Sequence, residues 1–205
     1  MTTPWDMTRQ LVDYVILEHP SISQAMQHAA RELSPHLRDE TKRLINDHDY
    51  QQTETTLLVF TIGILTTHLP PKDTVAFSHG LFDTQGGLFN KFEYQRVYLY
   101  GSNRFDADDR DGEWACNPSW FPDRRYFHIP LLKQIGKLEG TNELCTSFLL
   151  AQTFAAAMAI VFAPLIVDQL VQADQYQQPI PIATGHDAGD LFILGKASPS
   201  GFQRP

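Results

Sequence analysis

The sequence predicts an α+β fold, on three observations. Capped apolar stripes of helical period fill residues 4–46, residues 92–100 alternate with the period of a strand, and residues 148–167 form a run without a single charge. Short N-terminal helices, a small, mostly antiparallel sheet and a long buried central helix follow. A chain of 205 residues suits one domain with a sizeable core. The expected layout is a helical part at 1–46, an α+β core at 47–195 and a loose tail at 196–205.

The first helix starts at Pro4, whose missing N–H costs nothing at a first helical position, and Met7, Leu11, Tyr14 and Val15 form its apolar stripe. Pro20 ends it. Ser21 followed by Gln24 is a capping-box pattern, and Ile22, Met26, Ala29, Ala30 and Leu33 make the second inward face. Ser34 and Pro35 restart the chain, with Leu37, Leu44 and Ile45 facing inward. Residues 55–65 are ambiguous. Their β-branched side chains and Gly63 favour a buried strand, while their length also permits a helix. Residues 74–77 are a short strand candidate, and Gln85, Gly86 and Gly87 a turn.

In residues 92–100, period two puts Phe92, Tyr94, Arg96, Tyr98 and Tyr100 on one face and Glu93, Gln95, Val97 and Leu99 on the other. An aromatic stripe of this kind serves as core, as a cross-strand ladder or as a binding platform. No periodicity survives from Gly101 to Pro130, and so long an irregular segment tends to be functional or disordered. Its dense aromatics, among them Trp114, Trp120, Phe121, Tyr126 and Phe127, argue against disorder. A short helix at 131–138 then leads into the central run.

That run, Phe148 to Val167, is long enough to cross a membrane. It leaves into Asp168 and Asp174 rather than Lys or Arg, and Ala155, Ala156, Ala157 and Ala159 let neighbours approach closely. A core helix is the expectation. Thr141 or Asn142 can cap it, Glu143 suits its first turn, and Pro164 should kink or end it. Beyond it, residues 179–184 and 190–194 read as two strands, the first placed at a sheet edge by its prolines.

Apolar content of 42% and charged content of 20% are ordinary globular values, and the net charge of −8 argues against a nucleic-acid partner. The N-terminus shows no secretory pattern, and Cys116 and Cys145 make neither a disulfide framework nor a zinc site by spacing. Two reduced thiols in a cytoplasmic protein, with no cofactor and no membrane, are expected. Either cysteine could act as a nucleophile only if the fold brought a histidine to it. Cys145, next to the central run, reads as buried packing, which leaves Cys116 in the irregular segment as the candidate.

Asp106, Asp108, Asp109, Asp111 and Glu113 form the most conspicuous charged cluster. It fails the EF-hand test, because Arg110 falls at the fifth position, Asp111 where glycine belongs, and Asn117 at the twelfth. A solvated acidic turn or a patch that docks a basic partner remains. His186, Asp187 and Asp190 share a glycine-bounded turn, where such side chains either bind a metal or move protons, or simply cap local backbone. His79 and Asp83 are also near each other in sequence. No P-loop, G-x-S-x-G, H-E-x-x-H or dinucleotide fingerprint is present.

Tyr98 to Gly101, Trp114 with Ala115, Trp120 to Pro122, Arg125 with Tyr126, and Gly185 to Asp190 ahead of an apolar strand resemble small α+β immunity proteins of bacterial polymorphic-toxin and contact-dependent inhibition systems. The resemblance spans residues 92–195. It implies a cytoplasmic protein that binds one toxin domain tightly and does no chemistry. The expected contact surface is Asp106, Asp108, Asp109, Asp111 and Glu113, framed by Trp114, Trp120 and Tyr126. The alternative is a small metal-assisted hydrolase built on His186, Asp187, Asp190 and the 101–130 segment.

Overall fold

The computed structural model describes residues 3–84, 94–109, 112–140, 142, 144–187 and 191–205. The expected turn at 85–87 lies outside these, as do Phe92, Glu93, Arg110, Asp111, Thr141, Glu143 and Asp190. Among the described residues seven helices and six strands build an α+β fold.

The N-terminal helices are α1 (Pro4–Glu18), α2 (Ile22–Glu32) and α3 (Asp39–Asn46). Ser21 and Gln24 form the expected capping box, each side chain accepting from the other's backbone N–H, and Thr3 and Asp6 do the same for α1. The third helix starts four residues later than Pro35 predicts. Leu33 O accepts from both His36 N–H and Leu37 N–H, so the chain makes a tight turn before α3 can begin.

Residues 55–65 are helical, not a strand, within α4 (Tyr50–Thr67). Tyr50, Leu57, Thr61, Ile64 and Leu65 form its buried stripe, while Leu58 and Val59 face solvent. Thr55, Thr56 and Thr66 each donate a hydroxyl to the carbonyl four residues back, which lets β-branched residues serve a helix. Burial on one helical face outweighs strand propensity here.

The sheet runs β3-β2-β1-β4-β5-β6, with β1 (Ala76–Asp83), β2 (Gln95–Ser102), β3 (Tyr126–Phe127), β4 (Ile180–His186), β5 (Leu191–Ser198) and β6 (Gly201–Gln203). Only β1 and β4 pair in parallel. β4 is therefore interior rather than an edge. Its proline is tolerated because pairing with β1 begins at Ile182, so Pro181 is flanked by β5 alone. The expected tail is also ordered: Pro199 and Ser200 form a hairpin turn closed by the Ser198–Gly201 pair, and Ser198 Oγ donates to Gly201 O at 3.0 Å. Ser-Pro-Ser-Gly is turn chemistry between short strands.

Helix α7 (Thr146–Gln172) lies between the sheet and a layer made by α1, α2, α4 and α6 (Pro130–Glu139). Nineteen of its 27 residues are buried, so the run long enough for a membrane is the centre of the core. Ala155, Ala156, Ala157 and Ala159 are fully buried, and their small side chains allow sheet and helices to close on α7 from both sides. The helix continues eight residues past Pro164, which is exposed, because Ile166, Val167 and Leu170 beyond it are buried. In the core, Gln152 donates to Thr184 Oγ1, which donates to His79 O at 2.8 Å, tying α7 to β4 and β1.

The start of α7 is held by a buried carboxylate. Glu139 Oε2 accepts from Thr146 Oγ1 at 3.1 Å and Oε1 from Arg38 N–H at 3.2 Å, joining α3, α6 and α7. Glu139→Ala strands both donors, and a loss of about 2–4 kcal/mol is expected in urea unfolding. An unchanged midpoint would mean that water serves these groups equally well.

Candidate functional site

The sheet has an inner and an outer face. Strand alternation turns Phe77, His79, Leu81 and Asp83 of β1, with Gln95, Val97 and Leu99 of β2, towards α7. Ser78, Gly80 and Phe82, with Arg96, Tyr98 and Tyr100, occupy the outer face. The aromatic stripe of β2 is thus a cross-strand ladder on that outer face. Tyr98 and Tyr100 stack at 5.2 Å, and Tyr98 covers Gly80, where a Cβ would come within 2.5 Å of its ring. A cavity of about 260 Å³ opens there, lined by Tyr98, Tyr100, Cys116, Phe121, His186 and Asp187. Tyr98 donates its phenol to Asp187, and burial first, then this carboxylate, raises its pKa. Burial likewise pushes Tyr100 up to about 12.

The 101–130 segment covers part of this face. It contains the one-turn helix α5 (Glu113–Cys116), a bridge between Gly101 and Trp120, and β3. Asp106, Asp108 and Glu113 are exposed, while Asp109 is half-buried and accepts from Trp114 N–H. Trp114 and Trp120, expected as contact residues, are only 4% and 6% exposed and pack inward, since rings of this size gain most from burial. Tyr126 is exposed as expected. Its neighbour Phe121 is exposed too, and the Arg125 guanidinium lies 4.7 Å from the Phe121 centroid and 4.9 Å from that of Tyr126.

His186 and Asp187 do not converge. His186 ends β4 and Asp187 is the first residue beyond it, and their side chains take opposite sides: Asp187 reaches Tyr98 outside, and His186 reaches Phe148 of α7 inside. Asp190 lies outside the described residues. Among the described residues no three His, Cys, Asp or Glu side chains are arranged to hold a metal. His79 and Asp83 share a face of β1 but sit four residues apart, and His79 is sealed in the core.

On the inner face His186 meets other partners. Its Nε2 lies 3.4 Å from Asp83 Oδ2, and its ring stands edge-on to Phe148 at 5.5 Å. Gln95, opposite Asp83 in the β1–β2 ladder, donates to Asp83 Oδ1 at 2.9 Å and holds that carboxylate in place. Phe148 is one turn along α7 from Cys145, on the same side of the helix. Cys145, Ser147, Phe148, His186, Asp83 and Gln95 line one open cavity of about 350 Å³, together with Pro4, Trp5 and Thr8 of α1.

Cys145 is exposed, not buried packing. It is the N-cap of α7 yet adopts φ 53°, ψ 43°, whereas N-caps are ordinarily extended. The other described non-glycine residues with positive φ, His19 and Asp174, each follow a helix C-terminus, where that conformation is common. At Cys145 it costs about 1–3 kcal/mol, a kind of strain that gathers at functional sites. Asn142 makes the turn hold, its Oδ1 accepting from Thr146 N–H at 3.1 Å and its carbonyl from Cys145 N–H at 3.0 Å. Cys145 therefore sits immediately ahead of the first turn of α7.

A thiol, an imidazole and a carboxylate with its own orienting amide are the parts of nucleophilic catalysis. The sequence reads Cys145 as buried packing and sets His79 near Asp83, whereas the structure exposes Cys145 and puts His186 against Asp83. The asparagine three residues ahead of Cys145 and the long apolar helix behind it were the available signal. No protein-family model matches the chain, and no curated protein and no solved structure matches it.

Proposed function

We propose that the chain is a thiol-dependent enzyme of the acyl-transfer class, with Cys145 as nucleophile, His186 as general base and acid, and Asp83 as the group that orients the imidazole. The observation that carries this is the convergence of residues 83, 145 and 186, remote in sequence, on one cavity. His186 takes the thiol proton as sulfur attacks a carbonyl carbon, and a thioester forms. The imidazole then gives that proton to the departing amine or alkoxide. Water, deprotonated by the same imidazole, cleaves the thioester to a carboxylic acid and returns the thiol. Both cysteines are exposed, so each is the control for the other. With limiting iodoacetamide, Cys145 should be alkylated at least about tenfold faster than Cys116, in keeping with an activated thiol. Equal rates would remove Cys145 from this role.

A second reading is favoured by the exposed carboxylates Asp106, Asp108 and Glu113 beside the exposed rings of Phe121 and Tyr126. It is a cytoplasmic, immunity-type protein that binds a basic toxin domain through this outer surface, where acidic groups speed encounter and aromatics anchor the contact. Asp109 is left out of its test because it caps Trp114. Asp108→Ser with Glu113→Gln should lower the association rate with a basic partner captured from the native host, chiefly at low salt, with no change in Tm. An unchanged rate and salt slope would count against this surface. Cys145→Ala leaves that binding intact and so separates the two readings.

A further inference from the structure

We infer that the Cys145 cavity takes small amides or esters that carry an apolar group, aromatic or branched aliphatic, next to the carbonyl, and that Trp5 is the side chain that selects them. The inference rests on the thiol reading of the same site. The cavity, at about 350 Å³, is near the lower end of ligand pockets (roughly 300–1,000 Å³), room for one side chain and its carbonyl rather than a polymer. Its apolar walls away from the reacting groups are Pro4, Trp5 and Phe148, with Thr8, Gly140 and Ser147 between them. Among the described residues no lysine or arginine lines it, and its carboxylate, Asp83, faces His186, so the described walls hold out no fixed cation to a phosphate or a carboxylate.

Trp5 is the unusual feature. It is 45% exposed although it is the largest apolar side chain in α1. It is nonetheless fixed: its ring stacks on Phe192 of β5 at 5.3 Å, and the Thr3–Asp6 capping box sets the first helical turn that carries it. A rigid, half-open indole facing a nucleophile's cavity is a ready-made wall for an apolar group, which would complete its burial.

The test compares 2-chloroacetamide with N-benzyl-2-chloroacetamide on the full chain, adducts being mapped by mass spectrometry and both rates normalised to N-acetylcysteine. At Cys145 the benzyl reagent should be favoured by about tenfold or more, the gain expected when an apolar group fills a fitted pocket. In Trp5→Ala, or in Trp5→Gln should the first variant lose its helical signal, the ratio of the two rates should fall to that of N-acetylcysteine. Rapid labelling of Cys145 with no benzyl preference in the unmodified chain overturns the substrate class and leaves the nucleophile standing. Labelling of Cys145 no faster than Cys116 with either reagent overturns both.

Discussion

His186→Ala should reduce turnover of 4-nitrophenyl esters by about 10²–10⁴-fold, the contribution usual for a positioned acid–base group. Cys145→Ala should bring it to the uncatalysed rate, and Cys116→Ala should leave it unchanged. Asp83→Asn should fall between these, because asparagine keeps the contact with Gln95 and loses only the charge that faces the imidazolium formed during the reaction. A merely structural His186 would behave otherwise. It packs against Phe148 at the end of β4, so its loss as packing would lower Tm and leave the alkylation rate of Cys145 as it was. The pair of readouts, ester turnover and Tm, therefore distinguishes chemistry from packing. If Cys116→Ala abolished turnover instead, the reaction would belong to the outer-face cavity.

Substituting His79 by leucine should stabilise the fold by about 1–3 kcal/mol at pH 7, the cost of burying polar nitrogens without partners. His79 is fully buried on β1, its ring 6.1 Å from Phe127, and neither ring nitrogen has a hydrogen-bond partner among the described residues. Burial pushes its pKa down to about 3. Between that value and the ordinary one near 6.5 the unfolded chain binds a proton that the folded chain refuses. The stability it permits is complete above pH ~6.5 and is lost as the pH falls towards 3, at up to about 1.4 kcal/mol per unit. His19, His28 and His48 are lowered in the same direction by burial and add to this acid limb. In His79→Leu, urea midpoints at pH 7 and pH 4 should differ less than in the parent chain. Parallel loss in both would show that the imidazole is reached by protons in the native state.

Much of the architecture could be read from residue pattern. The Ser21–Gln24 box, the stripes of α1 and α2 and the two faces of β2 depend on neighbours a few positions apart, and local periodicity reports such relations directly. The same holds for α7, whose uncharged length admitted only a membrane or a core and whose burial shows the core. Local pattern failed where packing chose among options of similar propensity. Thr55 to Leu65 could have paired as a strand, and only the burial of Leu57, Thr61, Ile64 and Leu65 along one side made it a helix.

The exposed carboxylates Asp106, Asp108 and Glu113 were legible, because a charged run with no apolar period has nowhere to go but solvent. That Trp114 and Trp120 turn inward was not, since it depends on Ser102 accepting Arg104 N–H and donating to Trp114 O, and on the Gly101–Trp120 bridge. Composition and periodicity by themselves determined the class of fold, its central helix and its acidic outer face. That Asp83, Cys145 and His186 line one cavity was decided only by tertiary structure: parallel pairing of β1 with β4 sets residues about a hundred positions apart side by side, the alternation of β4 sends His186 to the inner face, and the start of α7 adds Cys145 to the same wall.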